Sequence, residues 1–446
     1  MTKWISLFAL AAAIAAPASA QNSLEQRIAA DYDATLEALF LDFHRNPELS
    51  YVENRTAGII AAQLRSLEID VTEGVGGTGV VGVLENGSGP VVLVRADMDG
   101  LPIEEDSGLD YASEARQTGI DGVEAPVMHA CGHDVHVTAL IGAARQLVRL
   151  RDQWSGTIVF IAQPAEERIG GARAMMEDGL YERFPRPEYA LAFHVSSGLA
   201  TGRIDLAPGL VASSADSVDI TIHGVGTHGA YPHEGRDPIV MGAEIIMALQ
   251  TLVSREVSPL APAVVTVGAF HGGIKHNIIS DTATMQLTVR SNDQAVRETL
   301  LAGIRRIAEN VGRMNGMPED RLPQVEVAHE STPPTINDAD LVARLRPALA
   351  GALGADTLID PTPQTGMGAE DFAYFVQPET GVRGAYFNVG GTPQEAFDAA
   401  ANGGPPVPAH HSPFFRIAPR ESVTLGTEAM VAAVMDLLPA GGSADD

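Results

Sequence analysis

The 446-residue chain has a single cysteine, Cys131, so no intrachain disulfide can form. It is also short of basic residues: 29 Lys+Arg against 57 Asp+Glu give 29 − 57 = −28. That charge argues against a nucleic-acid partner, because a phosphate backbone rewards basic patches and repels an acidic surface. Long apolar runs are lacking except near the start. There, Lys3 precedes the run Ile5–Ala16, and Ala-Pro-Ala-Ser-Ala20 follows it. This is the charged, apolar and small-residue order of a secretory signal, predicted to be cut after Ala20. The run is too short to span hydrocarbon. The reading therefore predicts export to the periplasm or beyond, and no membrane association after cleavage. Removing Lys3 with the segment leaves 28 − 57 = −29. A lone thiol in an oxidising compartment is buried, paired with another chain, or held by a metal.

What is present is the mixture of a globular protein, with 45% hydrophobic and 19% charged residues. At roughly 150 residues per domain, the length suggests two or three domains. After a helical opening (24–43), Val91–Asp97, Thr157–Ala162 and Tyr189–Phe193 read as buried strands: short apolar runs that meet polar residues at their C-terminal ends. Between the first two, Ala139, Leu140, Ala143, Leu147 and Val148 recur at helical spacing within 135–150. Strand, helix, strand with apolar runs predicts an α/β fold with a mostly parallel sheet, whose ligands gather at the C-terminal strand ends. From about Ala212 the pattern changes to an alternating strand (217–223), a helix (238–252), two strands (263–270 and 283–291), a helix (294–314) and a strand (324–329). The order βαββαβ is the ferredoxin-like arrangement. The predicted organisation is a signal segment at 1–20, a catalytic domain at 21–211 and 333–446, and an inserted α+β domain at 212–332. The returning chain reads as a helix near 338–353, Gly-rich turns and a last helix around 424–438.

The chemistry-bearing residues fall at the predicted strand ends. His129-Ala-Cys131-Gly-His133-Asp134-Val-His136 packs three imidazoles, a thiol and a carboxylate into eight residues. Cys131 and His133, two apart in a tight turn before a helix, can place both donors on one metal site, and a metal-held thiolate explains how a lone cysteine survives export. Gln163-Pro-Ala-Glu166-Glu167 follows an apolar strand, and adjacent carboxylates there can divide the work, one ligating a metal and the other taking a proton from water. His194 ends the next strand, and Ala409-His410-His411-Ser-Pro413 offers a further donor. Cys131, His133, Glu167, His194 and His411 together exceed what one tetrahedral ion needs and suit two divalent ions sharing a water. Thiolate and imidazole suit zinc; manganese, cobalt and nickel remain open. Asp99, after Arg95 on the first strand, is expected to hydrogen-bond the far nitrogen of a ligand histidine. In the inserted domain, His228, Asn277 and Arg290 form a polar set, and arginine can grip a carboxylate by a two-pronged pair.

These strings resemble the metal-dependent amidohydrolases of the hippurate hydrolase and indole-acetyl-amino-acid hydrolase type, within the aminoacylase and di-zinc carboxypeptidase clan. The matching strings are Arg95-Ala-Asp-Met-Asp-Gly-Leu-Pro102, Met128-His-Ala-Cys-Gly-His-Asp-Val-His136, Gln163-Pro-Ala-Glu-Glu167 and Phe193-His-Val195. Gly226-Thr-His-Gly-Ala-Tyr-Pro-His233, His276-Asn-Ile-Ile-Ser-Asp281, Gly368-Ala-Glu-Asp-Phe372 and His411-Ser-Pro413 follow in family order. The resemblance implies that Cys131, His133, Glu167, His194 and His411 bind the two ions. It makes Glu166 the general base and then the proton donor to the leaving amine, and His228 an oxyanion or carboxylate contact, often supplied in relatives across a homodimer interface. Asn277 and Arg290 would hold the substrate carboxylate. The chain departs from the pattern in Thr227, where relatives usually carry Gly, and in the doubled histidine; His411, directly before Ser-Pro, is taken as the ligand. The expected function is an exported amidohydrolase of N-acyl amino acids or related amide conjugates. The alternatives are a carboxypeptidase or dipeptidase of short peptides, and a non-catalytic metal-binding relative.

Overall fold

Apolar runs between polar turns become the strands of a seven-stranded sheet in the computed structural model, which describes residues 23–440 except 363 and 365. The expected signal segment lies outside the described residues. Helix α1 (Asn54–Ser66) leads into the antiparallel hairpin of β1 (Asp70–Val75) and β2 (Gly79–Asn86), and then come β3 (Val91–Asp97), helix α2 (His133–Arg149), β4 (Gly156–Gln163), β5 (Tyr189–Ala200) and β6 (Ile204–Asp205). A second unit follows: β7 (Ser214–His223), α3 (Pro238–Thr251), β8 (Ala263–Gly272), β9 (Thr282–Ser291), α4 (Gln294–Met314) and β10 (Gln324–Thr332). The chain then returns for β11 (Arg383–Thr392) and α5 (Pro419–Leu437).

The large sheet runs β1-β2-β4-β3-β5-β11-β6. Its four central strands are parallel and its outer pairings antiparallel. Both faces are covered, which is why β3 and β4 are apolar almost end to end. Leu140, Ile141 and Leu147 of α2 pack with Val431 and Val434 of α5 on one side. Met175, Leu180, Phe372 and Phe375 fill the other. Truncating any of these to alanine leaves a cavity costing about 2–5 kcal/mol.

The second unit is an antiparallel sheet ordered β8-β9-β7-β10 with α3 and α4 on one face. Strand β9 alternates buried and exposed positions, as one covered face requires. Met241, Ile245 and Leu249 of α3 turn into this core, while Ile239, Val240 and Met247 stay exposed, Met247 at 71%. Two crossing segments, Gly209–Ala212 and Thr335–Asn337, pair antiparallel between the two units.

Three differences from the sequence reading matter. The stretch read as Gly-rich turns contains β11, which pairs β5 in parallel from Arg383↔Tyr189 onward and sits inside the sheet. Its glycines, Gly384, Gly390 and Gly391, broke the apolar run that would have revealed it. The hairpin β1–β2 and helix α1 were also not anticipated. Finally, β5 continues to Ala200, so His194 does not end its strand. It lies where β3 stops pairing at Arg95↔Ala192, so the sheet opens on that side.

Candidate active site

Cys131 and His133 are brought together by a turn only glycine tolerates. Gly132 has φ 89, and a Cβ there would meet Val195 Cγ1 at 2.3 Å. The turn opens α2, whose N-terminal dipole favours anions such as a thiolate. Cys131 Sγ lies 3.3 Å from His194 Nε2. His194 Nδ1 donates to the Val195 carbonyl at 2.6 Å, which fixes the tautomer and leaves the Nε2 lone pair facing the sulfur. From the C-terminal loop, His411 Nε2 comes within 3.4 Å of Glu167 Oε2. His133 Nε2 stands 3.9 Å from both Glu166 Oε2 and Glu167 Oε1. The donor atoms of Cys131, His133 and His194 lie within 4.8 Å of one another, as do those of Cys131, Glu167 and His411, and those of His133, Glu166 and Glu167.

Neighbouring polar residues have other tasks. His410 Nε2 accepts the Ser197 N–H at 3.1 Å, so its lone pair is spent on backbone while His411 faces the cluster. Asp99 accepts the backbone N–H groups of Glu166 and Glu167 at 3.2 and 3.0 Å and the Ser50 hydroxyl at 2.6 Å. Its Oδ1 lies 3.2 Å from His133 Nδ1, in poor alignment for a hydrogen bond. Glu53, wholly buried, accepts from Ala165 N–H and Thr78 Oγ1 and holds the same loop from behind. Beneath the cluster, buried Arg95 reaches Asp97 at 2.6 Å, Glu370 at 2.8 Å and Asp371 at 3.4 Å. The sequence reading gave Glu370, Asp371 and Glu53 no role. Two signals were available: the matching string Gly368-Ala-Glu-Asp-Phe372 holds Glu370 and Asp371, and Arg95, a charged residue inside an apolar strand, demanded buried partners from somewhere.

The electrostatics ask for cations. Burial, with Glu370 and Glu167 beside it, holds the Glu166 carboxyl well above the usual range. Burial, with Asp99 and Asp97 adding to it, pushes Glu167 up to about 8 against the pull of His133. Burial and the same two glutamates raise the Cys131 thiol. Burial alone would depress His133, but Asp97 and Asp99 overcome it and push the imidazole up to about 10. Both His133 ring nitrogens and Glu167 Oε1 are buried without a hydrogen-bond partner among the described residues. Thiolate, imidazole and carboxylate donors crowded this way are repelled by one another and reconciled by divalent ions. The residues fit such a centre.

Cys131, Glu166, Glu167, His194 and His411 line a cleft of about 700 Å³ between the two units, with His133 buried behind them, and Arg290 of β9 reaches into its wall. Arg290 Nη1 donates to Met367 O at 3.1 Å, and burial lowers its guanidinium pKa. The structure does not bring His228 and Asn277 to this cleft. They sit together at a small two-stranded ladder of the second unit, Thr227–His228 against Ile278–Ile279, where Gly229 N–H bonds Asn277 O at 2.8 Å and His228 is exposed. Within one chain, then, the predicted substrate contacts reduce to Arg290.

Comparison with known proteins agrees with this geometry. The model of Peptidase family M20/M25/M40 matches residues 93–404. A thermostable carboxypeptidase 2 of Saccharolobus solfataricus is 37% identical, over 78% of this chain and 83% of the relative. The hippurate hydrolase of Campylobacter jejuni is 36% identical, over 78% of this chain and 86% of the relative. Among solved structures, Bacillus subtilis YXEP, described as a dinuclear metal-binding peptidase of the M20 family, is 27% identical. It aligns over 92% of this chain and 99% of its own with a TM-score of 0.69. With its donors converging as such a site requires and most of its length matched, the chain belongs to Peptidase family M20/M25/M40 and is a metal-dependent hydrolase of amide or peptide bonds.

Proposed function

We propose that the protein is an exported amidohydrolase that cleaves the amide bond of N-acyl amino acids or related amide conjugates, with Glu166 as general base. One observation carries the reading: Cys131, His133, Glu167, His194 and His411 converge from four separated segments, with the Glu166 carboxylate beside them and Arg290 in the same cleft. The hippurate hydrolase among the relatives is named for such a substrate. A carboxypeptidase reading has its own support in the name of the Saccharolobus relative. Turnover of benzoyl-glycine, acetyl-amino acids and dipeptides decides between them: the proposal expects the acyl-amino acids to be preferred, and peptide-only activity would overturn it.

In this reading, Cys131, His133, Glu167, His194 and His411 hold two divalent ions, zinc or manganese first and cobalt or nickel as alternatives. When bound, the ions supply charge that lowers the pKa of water and polarises the amide carbonyl. Glu166 takes the proton of the attacking water and returns it to the departing nitrogen. Asp99 holds the Glu166–Glu167 backbone in register through its two N–H contacts. Arg290 grips the substrate carboxylate. In the same reading the second unit, with its βαββαβ order, serves as a ferredoxin-like lid and dimerisation domain. Its exposed Ile239, Val240 and Met247 form the face a second copy would cover, and a homodimer would deliver His228 and Asn277 to the partner's cleft. Export follows from the leader segment, with cleavage after Ala20.

A further inference from the structure

Asp205 stands in a row of three residues across the floor of the cleft. His194 of β5 pairs directly with Asn388 of β11, and Asn388 pairs with Asp205 of β6. Residues directly opposite on neighbouring strands share a face, and here all three line the cleft. Two strand spacings place the Asp205 backbone about 10 Å from that of His194. The carboxylate is nearly buried, with the residue 9% exposed. Thr362 Oγ1 donates to Oδ2, while Oδ1 is buried and has no hydrogen-bond partner among the described residues. No lysine, arginine or histidine pairs with it among the described residues. A buried carboxylate oxygen left unpaired in the wall of a substrate cleft is costly, and a charge-assisted donor on the ligand removes that cost.

We propose that Asp205, with Asn388 beside it, is a specificity-determining subsite that selects substrates whose side chain ends in a primary ammonium group. The ammonium donates to the free Oδ1, and the carboxamide of Asn388 offers a further acceptor on the same face. Arg290, on the wall of the same cleft, takes the carboxylate, so one substrate would satisfy an anionic and a cationic subsite at once. The inference rests on the proposed amidohydrolase reading for its reaction, though not for its binding. A bland role is also defined: Asp205 could serve only to anchor Thr362, and then its loss would affect every substrate alike.

The metal-loaded protein and its Asp205→Asn and Asp205→Leu variants are assayed on Nα-acetyl-lysine and Nα-acetyl-norleucine, which share a stem and differ in the ammonium. Asp205→Asn keeps the shape and an acceptor for Thr362, and guards against a variant that fails to fold. The expected result is a wild-type kcat/KM ratio favouring lysine by about tenfold or more, falling about tenfold or more in both variants. A wild-type preference for norleucine, or a ratio within about twofold of wild type in both variants, overturns the subsite. Calorimetric titration with free lysine and free norleucine is run in parallel, so that failure of the amidohydrolase reading is distinguishable. If no acyl-amino acid is turned over, wild-type binding of lysine alone, lost in Asp205→Asn, still supports the subsite. Equal binding of both ligands, or of neither, refutes it.

Discussion

Asp97 Oδ1 lies 2.5 Å from Nδ1 of His136, and the opposite nitrogen of that ring, Nε2, accepts the Val195 N–H at 2.9 Å. Both imidazole nitrogens are therefore committed inside the protein. His136 belongs to the densest metal-like string in the sequence, yet it ties the end of β3 to β5 directly beside His194. Arg95 completes the arrangement by pairing the other oxygen of Asp97 at 2.6 Å.

Replacing His136 by alanine should destabilise the fold by about 2–4 kcal/mol, because it leaves Asp97 and the Val195 N–H buried without partners. Urea unfolding of wild type and His136→Ala measures this. A loss below about 0.5 kcal/mol would contradict the structural role.

His44 bridges Asp134 at 2.7 Å and Glu105 at 3.2 Å. Burial depresses its pKa, but the hydrogen bonds to the two carboxylates outweigh it and raise the imidazole from 6.5 to about 9. A folded-state value above the unfolded one contributes stability that is complete below pH 6.5 and lost as pH rises through 9. The contribution is on the order of 3 kcal/mol. Unfolding free energies at pH 6 and pH 9.5 should show this decline in wild type and a flatter profile in His44→Gln.

Glu166→Gln should retain bound metal and lose about 10²–10⁴ in kcat, the range of a general base. Cys131→Ser should instead lower the metal content of the purified protein. Elemental analysis beside turnover separates the two effects. Undiminished activity in Glu166→Gln would remove the assigned base.

If His228 acts across a dimer, His228→Ala and Glu166→Ala are each nearly inactive alone, but refolded together they complement. Random pairing gives half heterodimers with one intact site each, so about a quarter of wild-type activity should return. No recovery in mixtures that sedimentation shows to be dimeric would place His228 outside the partner's site.

Much of the donor set was legible because it is written in short strings. His129 to His136 and Gln163 to Glu167 each concentrate chemistry within a few residues, and Val91–Asp97 announces the strand that delivers Asp99. Glu370 and Asp371 stood in a matching string, Gly368 to Phe372, that gave them no task, and Asp205 stood in none. Each is an acidic residue in a chain with 57 of them, and only the fold shows that Arg95 gathers the first two and that Asp205 sits two strands from His194.

The linear order of residues determined the kinds of donor, the strands that carry them and the change of pattern that marks the second unit, since composition and periodicity are local properties of a chain. Which histidine of a pair turns inward, which carboxylate is held by an arginine, and which substrate contacts reach the cleft of their own chain were decided in three dimensions. Side-chain direction, burial and the pairing of distant strands are set by packing, and packing joins residues hundreds of positions apart, such as Arg95 and Glu370.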